Sequence, residues 1–199
     1  MSSPRTPLLT VLLAACAASA FADIVPLAER VSWPGMATVL KHEELYLSST
    51  PSQEGFEYAQ VQGVTTVLNL LERSESAWGF WKETLWGRFL QQQFPQLRSW
   101  DEAAAAKALG LRYEQIPISS VEPNLASIRQ ALSVIKQANG RHLLIHCDNS
   151  QRALALWAIY LFEIRELDPD QAIAQAELAG LKDPNLKSFV KAYVDPASS

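Results

Sequence analysis

HLLIHCDNSQRALALWAIYLF, residues 142–162, decides how the rest of the chain is read. An apolar run, residues 143–145, leads straight into His146-Cys147. Four residues separate Cys147 from Arg152, and an apolar stripe with helical spacing follows. A short apolar run before a polar break reads as a buried strand, and the longer stripe after it reads as a helix. Residues 148–151 then form a tight strand-to-helix turn. Such a turn aims backbone N–H groups at one point near a helix N-terminus, where they favour an anion.

The same donors stabilise a thiolate. A free thiol ionises near about 8.5 and becomes a nucleophile at neutral pH when shifted to roughly 3.5–7.5. Each pKa unit corresponds to about 1.4 kcal/mol, so a helix end worth roughly 0.3–2 kcal/mol does not suffice alone. Several N–H bonds, with help from His146, must contribute. Arg152 adds a planar, permanently charged fork that grips two phosphate oxygens. These parts describe covalent phosphoryl transfer: thiolate attack, a phosphocysteine, then water.

Working outward, LYLSS (45–49) alternates as a strand. A helix follows, with Thr50 as N-cap, Pro51 at its first position, Gln53 completing a capping box and Gly63 stopping it. VTTVLNLL (64–71) is β-branched and nearly continuous, a strand buried on both faces. Ser99 and Glu102 read as a capping box for an alanine-rich helix ending at Gly110. LRYEQIPI is a strand, residues 122–140 a helix, HLLIHC a strand and residues 153–167 a helix. Two last helices open with Asp168-Pro169 and Asp183-Pro184, an N-cap followed by a favoured first position. Strands separated by helices imply an α/β fold, a central mainly parallel sheet with helices on both faces. Ligands of such sheets sit beyond the carboxyl ends of the strands, where Cys147 falls. His42 reads as a surface residue and His142 as the start of a strand.

Residues 73–98 interrupt this pattern with Trp78, Phe80, Trp81, Trp86, Phe89 and Phe94 among few aliphatics. Two readings stand: a helical excursion that packs its aromatics over the core, or an aromatic flap beside the site or against a membrane surface.

The 199 residues suffice for one domain with a proper core, and 48% apolar content with six tryptophans argues against disorder. Lys+Arg 17 against Asp+Glu 21 leaves no basic stripe, which argues against a nucleic-acid partner. The first residues read as an export signal: Arg5, an apolar stretch over 8–18, and an Ala20-Phe21-Ala22 cleavage site before Asp23. The rival reading takes residues 13–16 as a lipobox that lipidates Cys16 and anchors the chain to a membrane. The expected layout is a signal at 1–22, one domain over 23–195 with 73–98 inserted, and a tail at 196–199; the expected location is periplasmic. After cleavage Cys147 is the sole cysteine, so an intrachain disulfide is impossible. The bland alternative for it is a small buried hydrophobe.

HCDNSQRALALWAIY resembles the signature loop of the cysteine-dependent phosphatases of the dual-specificity type. It is most similar to a small bacterial, tyrosine-phosphatase-like branch whose loop reads H-C-x-x-G-x-R. LYLSSTPSQEGFEYAQVQGVTTVLNLL, DEAAAAKALGLRYEQIPIS and LDPDQAIAQAELAGLKDP resemble that branch's opening, middle and end, so the likeness spans nearly the whole mature domain outside 73–98. It implies Cys147 as nucleophile, Arg152 as the phosphate-binding arginine and His146 as the residue that orients the loop. The backbone of Asp148, Asn149, Ser150 and Gln151 would form the phosphate cradle.

Four departures qualify the resemblance. Ser150 replaces the loop glycine, Asp148 adds a negative charge, and Ala153 replaces a hydroxyl residue. The loop that should carry an aspartate as general acid offers Glu122. Three functions follow: a phosphomonoesterase acting through phosphocysteine, a degenerate member that binds an anion or a partner, and a rhodanese-like sulfurtransferase, whose loop also holds four residues between Cys and Arg. The expected partner is a phosphorylated substrate of unspecified class. A membrane enters only through Cys16 or the aromatic segment. No metal-ligand spacing occurs, so neither metal nor cofactor is expected.

Overall fold

The computed structural model describes residues 25–72 and 101–195. The expected export signal, the aromatic segment and the tail lie outside them.

Six strands form one sheet in the order β1-β2-β3-β6-β4-β5. β1 (Glu29–Val31), β2 (Val39–His42) and β3 (Leu45–Ser48) make an antiparallel edge. β3, β6 (Leu143–His146), β4 (Thr66–Asn69) and β5 (Arg112–Gln115) run parallel. Their register is flush: His146 lies opposite both Ser48 and Asn69, and Asn69 opposite Gln115. The carboxyl ends of the four parallel strands therefore finish on one line, with His146 near its middle.

The inner strands are apolar throughout because both faces are covered. Leu45, Leu47, Leu68, Leu143 and Ile145 enter one core, shared with α3 (Leu125–Ala138), α4 (Gln151–Glu163), α5 (Pro169–Ala179) and α6 (Pro184–Val194). The alternate residues Tyr46, Val67 and Leu144 enter the other, with Phe56 and Ala59 of α1 (Gln53–Val61) and Ala106 of α2 (Glu102–Ala108). The expected α/β architecture is present, with the sheet mainly parallel and helices on both faces. α4 is buried over residues 151–161, which is why its sequence is apolar nearly all round.

Three local expectations change. His42 is buried, at 1% exposure, because β2 places it beneath α4 with its ring centroid 5.1 Å from that of Trp157. Burial holds its pKa below the ordinary histidine value, against the opposing pull of the Glu43 carboxylate. α1 is capped by Ser52, whose side chain accepts from Gly55 N–H, and Thr50 is drawn away into the loop after β6. α2 is capped by Asp101, which accepts from Ala104 N–H at 3.0 Å. Glu102 turns from its own helix toward the strand ends. The edge strands β1 and β2 had no sequence signal strong enough to find them.

Candidate active site

β3 does not stop at Ser48 in its influence. Ser49 forms an isolated bridge with Asn149, and Thr50 holds the loop twice. Its hydroxyl donates to the Cys147 carbonyl at 3.1 Å and its N–H to the Asp148 carbonyl at 3.3 Å. The third carbonyl, that of Asn149, accepts from the Ser150 hydroxyl at 2.5 Å. With the carbonyls of 147–149 engaged in this way, the polarity the turn has left to offer an inner ligand comes from its donors. Cys147 itself is fully buried at the head of this turn, its N–H on the Ser48 carbonyl at 3.3 Å.

Ser150 has φ 66° and ψ −9°, the left-handed conformation natural to glycine. The departure from the family glycine therefore leaves that backbone geometry in place, at a strain of about 1–2 kcal/mol. Asn149 steadies the exit from the turn, its Oδ1 accepting from Gln151 N–H at 3.2 Å. Asp148 and Asn149 are exposed, so the extra carboxylate lies on the solvent side of the loop. Ala153, the position at which the resemblance leads to the expectation of a hydroxyl, is fully buried.

Arg152 sits in the first turn of α4, 3% exposed, and Nη1 donates to the Ile118 carbonyl at 3.1 Å. That bond ties the arginine to the end of the segment leaving β5. Glu122 lies farther along the same segment, exposed, in a turn where its N–H meets the Ser119 hydroxyl at 3.3 Å. Among the described residues its carboxylate pairs with no side chain. Gln151 points the other way: Nε2 donates to the Gly180 carbonyl at 2.9 Å, and Oε1 accepts from Lys182 and Asp183 N–H at 2.8 and 2.9 Å. Its backbone N–H is taken by the Asn149 side chain, and its own side chain clamps the α5–α6 turn to the loop.

The residue missed from sequence is Glu102. Its Oε2 lies 2.7 Å from Asn69 Nδ2, 3.0 Å from the Tyr113 hydroxyl and 3.3 Å from Nε2 of the buried His146. The His146 contact is too poorly angled for a well-formed hydrogen bond but is a close polar contact. Burial pushes the Glu102 carboxyl upward; the nearby His146 ring, with the Tyr113 and Asn69 donors, outweighs that and holds it below the usual carboxylate range. Burial and the same carboxylate raise the Tyr113 phenol well above its ordinary value. The signal available in sequence was Asn69, a lone amide inside the apolar run 64–71.

No known family profile matches the sequence, and no curated relative matches it. Solved structures do match. The chain has the fold of the cysteine-dependent, dual-specificity-type phosphatases. TpbA of P. aeruginosa superposes with a TM-score of 0.61 at 18% identity, covering 86% of this chain and 90% of TpbA. A cysteine-to-serine form of TpbA in complex with pTyr gives 0.58 at 18% identity, over 84% of this chain and 88% of TpbA. The core catalytic domain of the PP-IP phosphatase SIW14 of S. cerevisiae, in complex with citrate, gives 0.55 at 16%, over 85% and 91%.

Proposed function

We infer that the chain is an exported cysteine-dependent phosphatase that hydrolyses phosphomonoesters through a phosphocysteine. The observation that carries this reading is the loop itself: Cys147 heads a turn whose carbonyls are tied off by Thr50 and Ser150, and Arg152 is anchored beside it on Ile118. In the first step the Cys147 thiolate attacks phosphorus. The S–P bond forms, the P–O bond to the leaving oxygen breaks, and Glu122 supplies that oxygen's proton. The loop amides and the Arg152 fork carry the charge on the equatorial oxygens. Water then attacks phosphocysteine and gives its proton to Glu122. The S–P bond breaks, and inorganic phosphate and the thiolate are released.

The test uses aryl phosphate, with tungstate as a phosphate analogue. Turnover that vanishes in Cys147→Ser while tungstate still binds supports the mechanism; a fully active serine variant rules it out. A second reading, anion binding without turnover, is favoured by the full burial of Cys147 and by the strained Ser150. It is supported if wild-type protein binds tungstate and hydrolyses nothing. A thiosulfate–cyanide assay on the same sample tests the sulfurtransferase alternative. Export is part of the proposal: mass spectrometry of the native protein should find a mature start at Asp23, and a diacylated Cys16 would replace it by membrane anchoring.

A further inference from the structure

The donors around Glu102 can be counted to closure. Asn69 gives one amide hydrogen to Glu102 at 2.7 Å and the other to the Tyr113 oxygen at 2.8 Å, while its Oδ1 accepts from Leu71 N–H at 2.7 Å. Reversing the amide would set its oxygen against the Glu102 carboxylate and its nitrogen against the Leu71 N–H. The Tyr113 hydroxyl hydrogen is then directed to Glu102 at 3.0 Å. An ionised carboxylate only accepts, so the His146 nitrogen facing it, Nε2, is the one that carries hydrogen. Local helix capping does not explain this carboxylate, because Asp101 already caps α2. A largely buried charge is costly unless it is paired, and here one of its three partners is the histidine that precedes the cysteine.

We propose that Glu102 is a positioning residue for the Cys147 reaction: by setting a carboxylate 3.3 Å from Nε2 of the buried His146, it fixes the orientation of that ring and the dipole beside which the thiolate forms. The proposal rests on the reading of Cys147 as the nucleophile. It assigns Glu102 no contact with substrate. Among the described residues, the titratable and charged groups around this corner are Glu102 on α2, Asp101 at its cap, Tyr113 on β5, Asp148 in the loop and Arg152 on α4. β3 contributes Ser48, opposite His146, and α1 contributes the Phe56 ring, 6.4 Å from His146 between centroids.

The experiment is alkylation of Cys147 by iodoacetamide between pH 5 and 9, with aryl-phosphate kcat and KM measured alongside. It compares wild type, Glu102→Gln, His146→Gln and the double variant. Glu102→Gln should slow alkylation at least about fivefold at pH 6 and less than about twofold at pH 9, where a thiol is largely ionised in any case. It should lower kcat more than it raises KM. In the His146→Gln background the same substitution should add less than about twofold, since residues acting through one another are not additive. Equal slowing in both backgrounds, or a fall in thermal stability with an unchanged pH profile, overturns the proposal. Should Glu102→Gln not fold, Tyr113→Phe removes one donor and keeps the carboxylate, and its smaller slowing should likewise require His146. A protein that turns over no aryl phosphate yet shows the His146-dependent change keeps this inference and loses the phosphatase reading. Turnover without that change does the reverse.

Discussion

Two kinds of helix start coexist in this fold. α1, α2, α3, α5 and α6 each begin with a side chain that accepts a first-turn N–H: Ser52, Asp101, Asn124, Asp168 and Asp183. α4 begins at Ser150, which makes no such bond; its hydroxyl turns back to Asn149, and its backbone is left-handed. The first kind closes the helix on itself and serves stability alone. The second forgoes the N-cap bond, worth about 1 kcal/mol, and has only its Gln151 N–H taken, by the side chain of Asn149. α4 can do so because its body is buried between the sheet and α5 and α6. The exception falls at the turn between Cys147 and Arg152.

The contrast is broken or sharpened by substitutions on either side of it. The largest effect is expected from Arg152→Lys, which keeps the charge at the open end and loses the fork. kcat/KM for aryl phosphate should fall at least about 100-fold, near 2.7 kcal/mol. Gln151→Ala removes three hydrogen bonds to the α5–α6 turn, each worth roughly 0.5–1.5 kcal/mol, and should cost about 2 kcal/mol in urea unfolding. At the closed ends, Asp168→Ala and Asp183→Ala should each cost about 1 kcal/mol and leave kcat unchanged, whereas Ser150→Ala should cost less than about 0.5 kcal/mol. A loss at Ser150 matching that at Asp183 would erase the distinction.

Ser150→Gly probes the same start more finely. It relieves the left-handed strain but frees the unfolded chain, so a net gain under about 1 kcal/mol is expected in thermal melts. A slower rate with phosphocysteine accumulating would assign the hydroxyl to the second chemical step. The smallest effect at neutral pH belongs to His42, packed on the body of α4. Its folded pKa is depressed, so the stability it contributes is present above the unfolded value near about 6.5 and is lost as pH falls through the folded value. His42→Phe should flatten the fall in Tm between pH 7.5 and 5.5.

What could be read from the chain was what short spacing encodes. The Asp168-Pro169 and Asp183-Pro184 starts, the apolar strands and the Cys147–Arg152 turn all depend on residues a few positions apart, and all are present. Thr50 and Glu102 misled for one reason. Each sits where a local cap is plausible, and each has its bonds claimed by a strand or loop distant in sequence. Thr50 serves the residue-147 turn, and Glu102 serves Asn69, Tyr113 and His146. His42 reads as a surface residue from its polar identity alone, whereas β2 turns it beneath α4. β1, short and mostly exposed, carries no apolar pattern to detect.

Asn69 closes β4 and Glu102 opens α2, and their side chains meet at 2.7 Å. The contact spans 33 positions of sequence, so each side chain has its use there only while the other is present. The unit that must be inherited intact is the pair of posts, Asn69 and Glu102, and a graft that carried one without the other would unseat the corner beside His146 first.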